Sequence, residues 1–161
     1  MSCDNTSSNA GIKLYIGDAA DVPATFSDTA MAAITSYELI ATAANVSARG
    51  TRRQIVEFMP LDGSVCKSAG STNNGTLSFT VARIPEDAGQ ADVIAAAATK
   101  SVYPFKILHD DATATLTTPS AEYLTGIVVR AEEDAASDAN TTATRTCEVA
   151  INNYVFDPRS A

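Results

Sequence analysis

The sequence has no tryptophan, one histidine and three cysteines among its 161 residues, and each scarcity argues against a class of function. Carbohydrate-binding surfaces usually need exposed Trp or Tyr platforms, so the lack of tryptophan counts against them. The cysteines Cys3, Cys66 and Cys147 are too far apart for a CxxC pair, and with His109 they do not have the spacing of a zinc site. We therefore expect no metal site and no disulfide framework, with Cys66 and Cys147 acting as small buried hydrophobic residues.

Motifs of common enzymes are missing as well. The sequence contains neither the GxSxG of a nucleophile elbow nor the GxxxxGK of a phosphate loop. The position of His109 beside Asp110 and Asp111 suggests an acid–base or metal-binding role. However, these residues follow a predicted strand at a point where a turn is expected. The acidic loop at 132–138 lacks the spacing of an EF-hand. We expect solvated turns at both places, no cofactor and no enzyme activity; a small hydrolase is disfavoured by the single, poorly placed histidine.

Long apolar runs are also absent. None approaches the roughly 20 residues that span a membrane, and the opening MSCDNTSSNAG has neither the basic start nor the apolar core of a signal peptide. We expect no membrane partner, a flexible N-terminus at 1–10 and a single domain over 1–161.

Alanine supplies 29 residues while aromatics make up 6%, which predicts a thin core that gains stability by assembly.

The net charge of −8 is unevenly distributed. Residues 1–85 carry seven acidic and six basic residues, whereas residues 86–161 carry twelve and five. A nucleic-acid binder needs clustered Lys and Arg, so the acidic half argues against that function. Two interpretations stay open: a surface that is simply solvated, or one that repels polyanions.

The stretch at 75–111 predicts a helix between two strands. Apolar residues alternate over 76–84, and a second strand is predicted over 102–108. Between them Pro85 marks the start of a helix over about 86–98, with Glu86 and Asp87 in its first turn. One helix in a chain that otherwise alternates like β-strand predicts an α+β, mostly β architecture and excludes the doubly wound cofactor folds.

The remaining pattern predicts eight to ten strands in all. Further strands are expected at 12–16, 34–48, 52–58, 65–69, 113–117, 122–131 and 142–156. Turn signals fall at 61–64 and 71–75, and Gly126 predicts a bulge within its strand.

An arginine cluster stands out in this acidic chain. Three of the eleven basic residues fall within five positions, and an apolar string follows them; the two sets are Arg49, Arg52 and Arg53, then Ile55, Val56, Phe58 and Met59. One interpretation is a solvated strand edge. The other is a subunit interface, because arginine binds carboxylates bidentately and an apolar string suits a subunit contact.

In its element order over about 12–156, and at residue level chiefly over 75–151, the chain resembles the major tail tube proteins of long-tailed (siphovirus) bacteriophages, the phage lambda major tail protein type. The similar segments read GTLSFTVARIPEDAGQADVIAA, YPFKILHDDATATL and EYLTGIVVRAEEDAASDANTTATRTCEVAIN. The resemblance implies a β-sandwich or barrel-like fold with one flanking helix, which assembles as hexameric rings stacked into a hollow tail tube. It also implies that residues 44–68, with the arginine cluster, match a long loop or hairpin that reaches a neighbouring subunit.

Further expectations follow from the same resemblance. The protein would be made in the host bacterial cytoplasm, reside in the virion tail and meet other tail proteins such as a tape measure and a tail terminator. DNA would pass through the tube without specific binding, and an acidic lumen would repel its phosphates. The candidates for lumen-facing acids are Glu57, Glu122 and Glu148. The alternative hypothesis is a β-sandwich binding module for a carbohydrate or a partner protein.

Overall fold

The computed structural model describes residues 9–112, 117–136 and 138–157. Its strands and α-helices, in chain order, are β1 Lys13–Ile16, α1 Asp28–Ala32, β2 Glu38–Ile40, β3 Ala43–Ala44, β4 Arg52–Phe58, β5 Cys66–Asn73, β6 Thr76–Ala82, α2 Ala88–Ala97, β7 Tyr103–Leu108, β8 Ala121–Glu133 and β9 Thr144–Asp157. The predicted α+β, mostly β fold is confirmed. The strand expected at 113–117, and most of the flexible N-terminus expected at 1–10, lie outside the described residues.

Seven strands form one antiparallel sheet in the order β2-β1-β7-β8-β9-β6-β3. The two edge strands, β2 and β3, are separated in the chain by only Ala41 and Thr42. That short link brings the opposite edges of the sheet together, so the sheet curls into a nearly closed barrel.

Alternation along the strands gives the barrel an apolar interior. On β6, Leu77, Phe79 and Val81 are buried while Ser78 and Thr80 between them are half-buried on the outward face. The inward residues of the other strands join this core, among them Leu14, Phe105, Leu124 and Val149. Removing a side chain of this size from water stabilises the fold by about 1.5–3 kcal/mol.

The residues Ala41 and Thr42, which join the two sheet edges, form a seam in the barrel, and α2 is hydrogen-bonded to this seam while packing against β8, β2 and β1. Asp87 caps the helix by accepting a hydrogen bond from the Gln90 backbone N–H, and it also accepts one from the Ala41 N–H at 3.3 Å. The Gln90 side chain is buried, and its Nε2 donates to the carbonyls of Ala41 at 3.2 Å and Ala82 at 2.9 Å. Its Oε1 accepts from the Ile84 N–H at 3.2 Å. One glutamine therefore links the helix to the seam and to the end of β6.

The prediction of one long strand over 34–48 was wrong. The structure has two short strands there, because Thr42 and Asn45 have left-handed backbones with φ of 60° and 53°. The Thr42 hydroxyl donates to the carbonyl of Ala41 at 2.7 Å and lies 3.0 Å from that of Ala82. Tertiary closure of the barrel thus overrides the β-propensity of this segment.

The helices also differ from the prediction. The expected helix is present but begins at Ala88, because Asp87 serves as its N-cap and Pro85 and Glu86 lie in the preceding turn. The short helix α1 was not predicted; Ser27 caps it, and Met31 packs it onto the outer side of the sheet. A helix of five residues is too short to leave a periodic pattern in the sequence.

Several strand predictions hold. The strands predicted at 12–16, 52–58 and 102–108 are confirmed to within a residue, and the bulge at Gly126 appears as a shift in the β8–β9 register. β5 is longer than predicted and takes up part of the turn expected at 71–75. Cys147 is buried as expected, whereas the expectation for Cys66 was wrong, because β5 lies on an exposed hairpin.

Candidate subunit interface

The strands β4 and β5 form a separate two-stranded sheet, and together with the loop that joins them they are here called the hairpin. All residues at 51–59 and 61–69 are exposed, so the hairpin stands off from the barrel on both of its faces. A strand of seven residues such as β4 is about 23 Å long. An isolated two-stranded hairpin is at best marginally stable in water, so this element gains most from a partner.

The hairpin concentrates exposed apolar side chains. Of the eleven large hydrophobic residues that are exposed in the described part of the chain, six lie on it: Ile55, Val56, Phe58, Met59, Leu61 and Val65. Phe58 is 68% exposed and Met59 71%. Val56 and Phe58 point to the same side as Cys66, which lies opposite Phe58, while Ile55 points to the other side. Contiguous apolar exposure of this kind marks interaction sites in soluble proteins.

Two of the three clustered arginines stand at the root of the hairpin. Arg52 and Arg53 open β4, opposite Asn73 and Thr72 of β5, and both are exposed. Neither forms an ion pair with any residue that the structure describes. Because both side chains are exposed, their guanidinium groups are accessible to carboxylates of a binding partner.

Arg49 has a different environment. Its Nε lies 2.5 Å from Oε2 of Glu122 and its second terminal nitrogen 2.6 Å from Oε1, a bidentate ion pair. The Arg49 side chain is 14% exposed and that of Glu122 is 7% exposed. In the single chain, Arg49 is thus bound to β8 of its own barrel.

The Glu122 carboxylate is the centre of a larger cluster at one end of the barrel interior. Besides Arg49, Nε2 of His109 lies 2.6 Å from Oε1, and the hydroxyl of Tyr154 donates to Oε2 at 2.9 Å. Burial raises the pKa of the Glu122 carboxyl, but the bonds from Arg49, Tyr154 and His109 outweigh it and hold that pKa below its usual value. Burial and the bond to the carboxylate raise the pKa of Tyr154 to about 12.

The solvated turn expected at His109 was wrong. His109 follows β7 directly, its backbone N–H donates to the Ser120 carbonyl at 3.0 Å, and its ring packs edge-on against Phe156 with centroids 6.3 Å apart. Asp111 is likewise engaged, accepting hydrogen bonds from the Ser120 backbone and hydroxyl. No local signal marks this cluster, because Glu122 and Arg49 are 73 residues apart in sequence.

The three acidic residues predicted to face a lumen lie in three different parts of the molecule. Glu57 is on the hairpin, where it pairs with Lys67 at 3.0 Å. Glu122 is inside the barrel end, bound as described above. Glu148 is on the outward side of β9, opposite Ser78 of β6 and Arg130 of β8. Of the three, Glu148 alone lies on the outward face of the large sheet.

The described residues were also compared with the requirements of metal sites, cavities and membrane-spanning helices. No group of three or more His, Cys, Asp or Glu residues among them has the arrangement of a metal site. A cavity of about 340 Å³ opens at the hairpin root, lined by Arg49, Arg52, Asn73 and Asn74 among others. None of the helices in the described ranges has the length and apolarity needed to cross a membrane.

The fold of this chain has counterparts among solved structures. A sheath/tube terminator of the extracellular contractile injection system PVC, in its extended state, matches with a TM-score of 0.67 and 11% identity, over 98% of this chain and 100% of that one. A chain of the anti-feeding prophage baseplate matches with a TM-score of 0.69 and 12% identity, over 100% of both chains. The SPP1 tail tube matches with a TM-score of 0.61 and 13% identity, over 91% of this chain and 76% of that one.

This chain shares its fold with components of phage-like tubes. At identities this low the likeness shows the fold alone, and the lambda type of tail protein in particular stays a prediction. No family model matches the sequence, and no curated protein matches it. By their descriptions, the matched chains come from structural assemblies.

Proposed function

We propose that this protein is the structural subunit of a phage tail tube, which polymerises as stacked hexameric rings into the conduit for DNA delivery. The observation that carries the proposal is the exposed hairpin on a barrel fold that matches tube-system components over their full length. The barrel needs no partner to bury its core, whereas the hairpin exposes six large apolar side chains. A copy of the same chain is the partner that a tube supplies repeatedly.

The hairpin contacts a neighbouring subunit through two kinds of interaction. Val56 and Phe58 pack their shared side against apolar surface of the neighbour, which gives the contact most of its energy. Arg52 and Arg53 bind carboxylates of the neighbour, which fix the direction of the contact. The chain provides those carboxylates, since its second half carries twelve acidic residues against five basic ones.

The lumen of the tube is the outward face of β6, β8 and β9. This face carries hydroxyl groups and charges, including Ser78, Thr80, Glu148 and Arg130. Glu148 is the acidic residue that faces the DNA phosphates there. With an overall charge of −8, the subunit repels a polyanion, so DNA passes without specific binding.

The proposed surroundings follow from this role. The subunit is made in the host bacterial cytoplasm and becomes part of the virion tail, where the tube ends on a tail terminator and encloses a tape measure protein. The alternative, a binding module for a carbohydrate or another protein, receives no specific support: each of the five tyrosines is at least partly buried, so no exposed tyrosine platform exists among them.

Electron microscopy and sedimentation of the purified protein over a range of concentrations test the proposal. We expect rings or hollow tubes with sixfold symmetry above a threshold concentration, or in tails isolated from virions. A matched variant with Phe58→Ser and Met59→Ser removes exposed apolar surface without touching the barrel, and it should stay monomeric. If neither purified protein nor any virion tail contains rings or tubes of this chain, the proposal is wrong.

A further inference from the structure

The root of the hairpin is attached to the barrel on both of its sides. On the β5 side, the Asn74 side chain donates to the Asn152 carbonyl of β9 at 2.6 Å. On the β4 side, Arg49, three residues before the hairpin begins, forms the bidentate pair with Glu122 of β8. Thr51 and Asn74 connect the two sides through a hydrogen bond of 2.8 Å.

The Glu122 attachment is built more firmly than the surface ion pairs of this chain. Both carboxylate oxygens are occupied, Oε1 by Arg49 and His109 and Oε2 by Arg49 and Tyr154. Glu122 itself is on β8, and its partners come from β9 and the segments flanking β4 and β7, so the position of the carboxylate is fixed largely by the barrel. A planar guanidinium on a fixed carboxylate has its orientation fixed as well.

We propose that Glu122 is a positioning residue for assembly: by holding Arg49 it fixes the direction in which the hairpin leaves the barrel. This inference rests on the proposed function in that the hairpin is the assembly element. Glu122 lies inside the barrel end and does not itself touch the neighbouring subunit. Its role is to present the apolar side of the hairpin to that neighbour in one orientation, which lowers the ordering cost of association.

The opposite end of the barrel provides a matched control. There Glu133 of β8 pairs with Arg145 of β9 at 2.8 Å and with Arg83 at 3.5 Å. This second cluster also joins strand ends through a carboxylate and arginines, but the hairpin does not emerge beside it. Neutralising Glu133 therefore reports what the loss of a barrel-end ion pair does in general.

Distances measured between spin labels by double electron–electron resonance on the monomer test the proposal. Cys66 on β5 is exposed and provides one label, after Cys3→Ser; burial raises the pKa of the Cys147 thiol to about 11, which protects it from labelling. Asp92→Cys on the exposed side of α2 provides the other. The unaltered root should give a narrow distance distribution, and Glu122→Gln should lower the population of that distance by about tenfold.

The width of the distance distribution in the two variants decides between the possible outcomes. A narrow distribution that broadens with Glu122→Gln and not with Glu133→Gln supports the positioning role. A distribution that is already broad with Glu122 in place, that stays narrow in Glu122→Gln, or that broadens equally in both variants overturns it. If circular dichroism shows that Glu122→Gln has not folded, Arg49→Lys replaces it. This variant keeps the positive charge but loses the bidentate hydrogen bonding of the guanidinium group. An intermediate broadening of the distance distribution then supports the positioning role of Glu122, and an unchanged width overturns it.

The same variants distinguish this inference from the proposed function. If the protein forms tubes, Glu122→Gln should raise the threshold concentration for assembly by about tenfold, in line with the lost population. If the protein forms no tubes from any source, the proposed function is wrong, while the monomer distances still decide whether Glu122 holds the hairpin. Tubes at an unchanged threshold, despite a broadened distance distribution, overturn the claim that the orientation matters for assembly.

Discussion

The barrel and the hairpin are built from the same chain by opposite rules. In the barrel, alternate residues of the sheet are buried, and Gln90 and Asp87 satisfy the backbone at the seam. In the hairpin, nearly every residue is exposed, and apolar side chains occupy both faces. The stability of the monomer therefore comes from the barrel, whereas the hairpin leaves apolar surface exposed for a contact outside the chain.

The Glu122 cluster is where the two regions meet. It uses residues of the barrel, His109 and Tyr154, to hold Arg49 of the hairpin root. The contributions of the barrel, the hairpin and their junction to stability and assembly can therefore be tested with variants of the same chemical type in each region.

The two phenylalanines Phe79 and Phe58 give the largest expected contrast. Phe79 is fully buried in the barrel, so Phe79→Ala should lower the free energy of unfolding by about 3–5 kcal/mol. Phe58 is 68% exposed on the hairpin, so Phe58→Ala should change it by no more than about 0.5 kcal/mol. Urea denaturation of the monomers measures both; a loss in Phe58→Ala comparable to that in Phe79→Ala would show that the hairpin packs onto the barrel.

Two glutamines give the next contrast. Gln90→Ala removes the bonds to Ala41 and Ala82 and leaves the Ile84 N–H without its acceptor, so unfolding should become easier by about 1–3 kcal/mol. Gln54→Ala, on the exposed hairpin, should cost no more than about 0.5 kcal/mol. Hydrogen exchange at Ile84 should speed up in the first variant alone; unchanged exchange there would contradict the role of Gln90 in the seam.

The junction predicts a pH dependence. The folded pKa of Glu122 lies below its ordinary value of 4.5, so its contribution to stability is present above that value and is lost as the pH falls through the folded pKa. Glu122→Gln should therefore be less stable than the unaltered protein at pH 7, and the difference should shrink as the pH is lowered below about 4.5. Urea midpoints against pH measure this, with Glu148→Gln as the control for removing a carboxylate; a constant difference down to acid pH contradicts the assignment.

The hairpin arginines should affect assembly without affecting the fold. Arg52→Glu with Arg53→Glu should change the free energy of unfolding by no more than about 0.5 kcal/mol, because both side chains are exposed and unpaired within the described chain, yet it should block polymerisation. Lys13→Glu with Lys100→Glu makes the same change of charge on the barrel and serves as control. Sedimentation measures assembly, and normal tubes from the arginine variant would remove these residues from the interface.

Local patterns predicted the barrel strands well but missed its closure. Alternation located β1 and β6, since each of these strands buries every second side chain. The segment at 34–48 has β-favouring residues throughout, but closing the barrel requires a corner there, with Thr42 and Asn45 in left-handed conformations. The corner is required because the two edges of the sheet meet there, and the residues of the segment itself do not indicate this tertiary contact.

The candidate site was predicted in part for the same reason. The hairpin could be anticipated because a turn signal at 61–64 lies between two predicted strands, and the apolar string from Ile55 to Met59 beside the arginines suggested a subunit contact. The different role of Arg49 could not be, because its partner Glu122 lies 73 residues away. The same holds for His109, whose contacts with Glu122 and Phe156 depend on the pairing of β7, β8 and β9.

A cryo-electron microscopy reconstruction of the assembled protein would show directly whether the hairpin is the contact between subunits. We expect a hollow tube of stacked rings in which β4 and β5 are buried between subunits, with Phe58 against apolar surface and Arg52 and Arg53 beside carboxylates of a neighbour. The outward face of β6, β8 and β9, with Glu148, should line the lumen. An assembly in which the hairpin remains exposed to solvent would contradict the account, and so would one in which that face lies on the outside of the tube.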